Sequence, residues 1–186
     1  MHMPQAARHW TADEVRALPD DGNRYEVVDG ELLVTPAPSW DHQRVVGALH
    51  FLLRGYLAGT SIGEAILSPA DLGLGDSQVE PDLFVLPFVD GRRVQSIDTA
   101  IRPLLVVEVL SPSTARRDRV LKRRLYQRAR VSEYWIVDLD ARVVERWRPD
   151  DERPEVLQER IEWRPGEAAP PLVIDLEATF REALES

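Results

Sequence analysis

The pattern of apolar and polar positions predicts short strands and amphipathic helices in alternation. Residues 24–28 (RYEVV) and 31–35 (ELLVT) flank Asp29-Gly30, and we expect a β-hairpin there because this pair accepts the positive φ angles of a tight turn. From Trp40 to about Leu57, apolar residues recur at helical spacing, which predicts a helix with one buried face. Ser39 is in position to cap that helix.

The rest of the chain is predicted to be rich in strands. Residues 65–75 and 79–87 are expected to form two strands, and 104–110 (LLVVEVL) is the apolar run of a strand covered on both faces. The other predicted elements are a short first helix with a capping box at Thr11 to Glu14, a helix over 116–129, a hairpin of 133–138 and 142–148, a strand over 155–163, and a terminal helix over 176–184.

Length and composition limit the class of protein. The 186 residues are the size of one domain, so we expect a single domain over residues 1–186. The absence of cysteine excludes disulfides, zinc–thiolate sites and cysteine nucleophiles. The N-terminus lacks the apolar segment of a secretory signal, and no apolar run approaches the ~20 residues of a membrane-spanning helix. We therefore expect a cytoplasmic protein with no membrane partner.

The charge is distributed unevenly. The net charge is −9, yet residues 116–130 hold eight basic residues and one acid, which leaves −16 on the remainder. A total this acidic disfavours general nucleic-acid binding, because affinity for phosphates depends on accumulated Lys and Arg. The basic segment is either a phosphate-facing surface or a solvated face whose aliphatic stems lie over the core.

Two acids stand where ionised groups are costly. Glu108 lies inside LLVVEVL, and Asp82 lies in the apolar context EPDLFVL. A buried carboxylate must be paired or bound to a metal. On adjacent strands the two acids would repel each other, and a divalent cation would relieve that repulsion. The alternative is that each acid forms a salt bridge at a strand end.

A lysine is predicted to join these acids. Asp118, Lys122 and Tyr126 are spaced by four and share one helix face. A neighbouring apolar stripe, if packed on the sheet, would direct Lys122 toward the strand ends. That stripe consists of Leu121, Leu125 and Ala129. The alternative is an ordinary i,i+4 ion pair between Asp118 and Lys122.

These residues resemble a known signature. Pro81-Asp82, followed 26 positions after the aspartate by Glu108-Val109-Leu110, resembles the PD…(D/E)xK motif of restriction-endonuclease-like nucleases. From about residue 10 to 180 the chain resembles the Uma2 family. The matching segments are Arg24-Tyr25-Glu26, Asp29-Gly30-Glu31, Pro36 to Ser39 with His42, Pro81-Asp82, Val107 to Ser113, Asp118 with Lys122 and Tyr126, and Glu133 to Asp138. The lysine expected two places after the glutamate is Leu110 here, and Lys122 is its natural replacement from the following helix.

The resemblance implies a fold and a chemistry. The fold is α/β (α+β), with a mixed central sheet flanked by helices and an added N-terminal hairpin. The implied activity is hydrolysis of phosphodiesters with Mg²⁺ or Mn²⁺ held by Asp82, Glu108 and the Val109 carbonyl. Lys122 would stabilise charge in the transition state.

The resemblance also implies supporting residues around the site and a nucleic-acid partner. The supporting residues are Glu26, His42, Asp118 and Tyr126, and the residues expected to contact nucleic acid are Arg117 and Arg124. Glu26 could instead be a surface acid of the hairpin, and His42 a core or rim residue. We expect nucleic acid, DNA in the first place, as the partner, and association into a homodimer. The rival functions are a catalytically silent nucleic-acid- or protein-binding module and a hydrolase of small phosphate esters.

Overall fold

A computed structural model describes residues 8–94, 101–166 and 169–185. The helices are α1 (Ala12–Arg16), α2 (Trp40–Leu57), α3 (Ala115–Arg117), α4 (Arg123–Arg128) and α5 (Leu176–Leu184), and a π-helical turn (Asp118–Lys122) joins α3 to α4. The strands are β1 (Arg24–Val28), β2 (Glu31–Thr35), β3 (Gly63–Leu67), β4 (Leu72–Leu74), β5 (Ser77–Val79), β6 (Leu83–Pro87), β7 (Leu105–Val109), β8 (Glu133–Asp138), β9 (Val143–Trp147), β10 (Glu155–Leu157), β11 (Arg160–Trp163) and β12 (Leu172–Asp175). Within these described residues, no helix combines the length and apolar character needed to cross a membrane.

A mixed six-stranded sheet forms the centre, in the order β10-β9-β8-β7-β6-β3. Strands β7 and β8 are parallel, and the other pairs are antiparallel. The parallel pair requires a crossover, which α3, the π-helical turn and α4 provide; together we call them the basic helix. A second sheet, β2-β1-β5-β4, contains the N-terminal hairpin, and β11 pairs with β12.

Both faces of the central sheet are covered. Helices α2 and α5 pack on one face, where Leu83, Val107 and Val109 point into the core. The second sheet and the basic helix cover the other face, where Val106 and Leu110 point. This confirms that β7 is a strand buried on both sides, as its continuous apolar run predicts.

Several predicted elements are confirmed. The hairpin turns at Asp29 (φ 51°) and Gly30 (φ 83°), so its two turn residues have the left-handed conformation expected of Asp-Gly. Helix α2 spans Trp40–Leu57 with Ser39 accepting from the His42 amide, the capping box of α1 forms, and α5 spans Leu176–Leu184. Strands β8 and β9 form the second hairpin.

Four predicted elements are corrected. The two strands predicted at 65–75 and 79–87 are four strands divided between two sheets, because Pro69 and Pro81 lack the amide hydrogen that a continuing ladder needs. The strand predicted at 155–163 is two strands, β10 and β11, interrupted by polar Gln158 and Glu159. The helix predicted at 116–129 runs over residues 115–128 and contains the π-helical turn.

Candidate active site

The two strand acids open onto one cleft. Strands β6 and β7 pair with Leu83 opposite Val107, so Asp82, immediately before β6, lies across from Glu108 on β7. Glu108 lies on the same strand face as Val106 and Leu110, which pack beneath the basic helix. Both acids are buried, and both line a cleft of about 560 Å³. The expected neighbouring strands and shared cleft are therefore confirmed.

Lys122 projects from the basic helix into this group of acids. Its ammonium donates to Glu108 Oε1 at 2.8 Å and lies 2.8 Å from Glu26 Oε1, whereas Asp118 Oδ1 is 3.9 Å away. The contacts to the strand acids are the shorter ones. The ordinary i,i+4 pair is therefore not the main partnership of Lys122.

The π-helical turn begins at Asp118 and ends at Lys122, and both side chains are buried. π-helical turns occur often at functional sites. One turn further on, Tyr126 is fully buried and donates from its hydroxyl to Glu108 Oε1 at 3.0 Å. The stripe predicted beside this face packs as expected, since Leu125 is buried in the core cluster with Leu121 against it.

Glu26 is a buried member of the site. It lies on β1 with 1 % of its surface exposed, so the alternative of a surface acid on the hairpin is wrong. Its Oε1 accepts the Glu80 amide at 2.8 Å as well as contacting Lys122. Glu26 thereby ties the N-terminal hairpin to the basic helix and to the segment before Asp82.

Asp82 is surrounded by hydrogen-bond donors. Arg24 Nη1 donates to Oδ1 at 2.9 Å, while the Val109 amide at 2.8 Å and His42 Nε2 at 3.0 Å donate to Oδ2. Burial alone would raise the pKa of Asp82, but the hydrogen bond from His42, the charge of Arg24 and the Val109 amide outweigh it and lower the pKa to about 2. Asp82 is therefore ionised throughout the neutral range.

His42 lies at the start of α2 and reaches the strand acid from the face opposite the basic helix. Its side chain is buried, its Nε2 bonds Asp82, and its Nδ1 has no hydrogen-bond partner in the structure. An unpaired buried ring nitrogen beside a cleft can accept or donate a bond to a group that enters it.

Arg24 is a site residue that the sequence reasoning missed. Besides Asp82 it pairs with Glu80 at 3.2 Å, and it donates to Ser68 Oγ at 3.1 Å. The alternation of β1 places Arg24 on the same strand face as Glu26, two residues later, and that spacing could have revealed it.

The cluster holds more carboxyl groups than basic groups. Burial raises the pKa of Glu108 to about 8, with the charge of Lys122 opposing the shift and that of Asp82 adding to it. Burial likewise raises the pKa of Asp118. For Lys122, burial acts to lower the pKa, but Glu108 and Glu26 outweigh it, and the pKa is raised, so the ammonium stays charged.

Basic residues contribute unequally to the cleft. Among the described residues, the cleft wall includes Arg119 but neither Arg117 nor Arg124. Arg117 donates to the Val34 carbonyl at 3.1 Å, and Arg124 is exposed to solvent. Arg119 pairs with Asp138 on β8 at 2.8 Å and with Glu145 on β9.

The donor chemistry at the strand ends suits a hard cation. Over residues 8–94, 101–166 and 169–185, no group of three or more His, Asp or Glu side chains is arranged as a ready metal site. The candidate ligands named from sequence are nevertheless oxygen donors beside the cleft: Asp82, Glu108 and the carbonyl of Val109. Mg²⁺ prefers oxygen ligands and commonly uses one or two carboxylates. The residues present therefore fit such an ion in type and in charge.

Comparisons with known proteins agree with this architecture. The model of the Uma2 family, whose description is "putative restriction endonuclease", matches residues 12–181. The crystal structure of a putative nuclease belonging to DUF820 from Anabaena variabilis is similar, with a TM-score of 0.74 and 22% identity, over 94% of this chain and 99% of that one. At this identity the likeness shows the fold, and the expected restriction-endonuclease-like fold is confirmed. A search of the curated proteins gives no match.

Proposed function

The chain belongs to the Uma2 family, and from this premise we propose that it is a divalent-metal-dependent endonuclease that hydrolyses phosphodiester bonds of nucleic acid, with DNA as its substrate. The family and the fold support a nuclease-like function. Metal dependence and the choice of substrate rest on the charges and donors of the cleft.

The observation that carries the proposal is an excess of buried carboxyl groups over cations at the strand ends. Four carboxyl groups are at most 4 % exposed, and they are Glu26, Asp82, Glu108 and Asp118. The cations that contact them are Lys122 and Arg24. Like charges this close disfavour ionisation, and a bound divalent cation removes the penalty.

Asp82, Glu108 and the Val109 carbonyl are proposed to hold the ion, Mg²⁺ or Mn²⁺. When bound, such an ion polarises the scissile phosphate and lowers the pKa of an attacking water. The protein's own groups prepare the site. His42 and the Val109 amide orient Asp82, while Tyr126 and Lys122 fix Oε1 of Glu108.

Lys122 is proposed as the catalytic cation. It is buried and its pKa is raised, so its ammonium stays protonated while substrate binds. A fixed positive charge in a site from which water is excluded stabilises negative charge as it develops on the phosphoryl group. Asp118, which lies 3.9 Å from the ammonium, is proposed to position it.

Arg117 and Arg124 are proposed to contact phosphates outside the cleft, since the basic helix carries them within a strongly cationic segment.

The proposal also comprises a single domain, a cytoplasmic location and a homodimer. Light scattering on the purified chain checks the dimer, and a monomer mass would refute that part alone.

The test combines metal binding with cleavage. Mg²⁺ should raise the melting temperature of the wild type by mass action, and the double variant Asp82→Asn, Glu108→Gln should lose that rise. Cleavage of single- and double-stranded DNA should require Mg²⁺ or Mn²⁺ and stop with a chelator. Lys122→Ala should lower the cleavage rate by ~100- to 1000-fold while Mg²⁺ still raises its melting temperature.

The matched controls lie on the same helix. Arg117→Ala and Arg124→Ala should weaken DNA association and flatten its salt dependence while leaving the rate at saturation close to wild type. Equal stabilisation of the wild type and the double variant by Mg²⁺ would place the ion elsewhere. A wild type without metal-dependent cleavage of DNA or RNA would refute the nuclease.

A catalytically silent module is the second candidate, and one observation favours it. Both oxygens of Asp82 already accept bonds from protein donors, and Lys122 bridges Glu26 and Glu108. A site satisfied this well can be structural. Nucleic-acid binding without cleavage, unchanged by Mg²⁺, would establish this candidate in place of the nuclease.

A further inference from the structure

A large aromatic side chain stands unburied beside the cleft. Trp40 is the first residue of α2, and 81 % of its surface is exposed. The residues on either side of it, Pro36–Ser39 and Asp41–His42, line the cleft. Tryptophan is enriched at interfaces, so an exposed tryptophan whose sequence neighbours line a cleft is a candidate contact residue.

The acids themselves offer little surface to a double helix. Asp82 and Glu108 are at most 4 % exposed and line a cleft of about 560 Å³. A cleft of that volume is in the range that encloses small molecules. A duplex is a broad, stiff cylinder, whereas an unpaired strand can bend and splay its bases and can therefore bring a phosphate closer to acids that are buried.

The cations of the cleft wall also disfavour duplex recognition. Arg24, Arg119 and Lys122 line the cleft, and each is paired with carboxylates. Tight duplex binding depends on many free cations that neutralise phosphates. Stacking of bases on aromatic side chains needs no such charge and tolerates any sequence, so it suits an acidic protein.

We propose that the site takes an unpaired nucleic-acid strand, and that Trp40 stacks on a base next to the scissile phosphate. The inference rests on the proposed function only for the statement that the neighbouring phosphate is the one cleaved. Strand binding by Trp40 can be tested without cleavage. It deepens that function by naming the form of the substrate and a residue that determines specificity.

The experiment compares Trp40→Ala and Trp40→Phe with a matched control, Phe51→Ala. Phe51 is 76 % exposed on the same helix, and within the described chain its sequence neighbours, unlike those of Trp40, line no part of the cleft. Because both aromatics are exposed, all three variants should keep the wild-type melting temperature. The probes are a short single-stranded DNA and the blunt duplex of the same sequence.

Binding is measured first, in a chelator, by anisotropy of labelled DNA and by quenching of tryptophan fluorescence. Trp135, Trp147 and Trp163 are buried and Trp10 is half-buried, so the quenching that is lost in Trp40→Ala measures the share that comes from Trp40. Trp40→Ala should raise the Kd for the single strand by roughly 5- to 150-fold, the range expected for one stacked base. Trp40→Phe should keep most of the affinity, and Phe51→Ala should match the wild type. An unchanged Kd in Trp40→Ala, or wild-type binding that prefers the duplex, overturns the inference.

Cleavage with Mg²⁺ or Mn²⁺ is measured second. The wild type should cut the single strand faster than the duplex, and Trp40→Ala should lose that preference. Cleavage with no dependence on Trp40 overturns the inference and leaves the nuclease standing. Absence of cleavage with single-strand binding that depends on Trp40 supports stacking at this site and refutes the nuclease.

Discussion

Replacing Glu108 by glutamine should stabilise the metal-free protein at neutral pH. Glutamine keeps an oxygen in place to accept from Lys122 and Tyr126, which both bond Oε1 in the wild type. It removes the ionisable group whose pKa is raised by burial from 4.5 to about 8. The variant therefore keeps the hydrogen bonds but lacks the cost of burying the charge.

The magnitude follows from linkage. Because the folded pKa of Glu108 lies above the unfolded one, the contribution of its protonation to stability is fully present below about pH 4.5 and is lost as the pH rises through about 8. At pH 7 the wild type has lost roughly 3 kcal/mol of that contribution, at 1.36 kcal/mol for each pKa unit. Neutral glutamine loses none. For a chain of this size, Glu108→Gln should melt roughly 6–12 °C higher at pH 7.

The assay is thermal and urea unfolding in a chelator, from about pH 4.5 to 8.5. The free-energy difference between Glu108→Gln and wild type should be near zero at the acid end and should grow with pH. Glu31→Gln, at an exposed glutamate on β2, is the control for the substitution itself. If Glu108→Gln is as stable as wild type or less stable at pH 8, Lys122 accommodates the ionised glutamate fully, and the excess of buried carboxyl groups carries no cost.

Two more stability changes test the surrounding structure. Lys122→Met should destabilise the protein by about 3–5 kcal/mol in urea unfolding, because removing one partner leaves buried carboxyl groups without their cation; a loss below about 1 kcal/mol would mean that the ammonium gives the cluster no net stabilisation. Gly63→Ala should cost about 1–3 kcal/mol, because a Cβ there would lie 2.1 Å from a backbone carbonyl oxygen of β6. Gly73→Ala, where a Cβ would meet nothing within 4 Å, is its control, and equal effects of the two would contradict the close approach of β3 to β6.

The site residues that could be predicted from sequence differ from their sequence neighbours in polarity or lie at a regular spacing. Glu108 is recognisable because an acid interrupts a continuous apolar run, and Lys122 because its spacing from Asp118 and Tyr126 places it on one helix face. Arg24 and Glu26 alternate along β1 and mark one polar face of the strand. A hairpin with that face toward solvent would show the same alternation. Only the contact of β1 with the basic helix, where Glu26 meets Lys122, distinguishes the two cases.

The features that could not be predicted depend on contacts distant in sequence. Whether 72–74 and 77–79 join the central sheet or the N-terminal hairpin depends on the partner strand, and the apolar pattern is the same in either sheet. The π-helical turn at Asp118–Lys122 has no residue that breaks a helix; both of its charged ends are buried, and Lys122 contacts β1 and β7. That Arg117 and Arg124 lie outside the described cleft wall follows from how the basic helix docks on the sheet.

The position of the lysine on a helix has a physical consequence for the site. Leu110, two residues after Glu108, is buried in the apolar cluster beneath the basic helix. Leu110 also lines the cleft, so a lysine there could reach it, but it would give up the apolar contacts that leucine makes in the cluster. The strand therefore supplies packing at that position, and the helix supplies the ammonium. Because Lys122 and Glu108 belong to different elements, their 2.8 Å contact depends on the packing of Leu125 and Tyr126 against the sheet. Core side chains of the basic helix thus set the geometry of the proposed catalytic group, although they line no part of the described cleft wall.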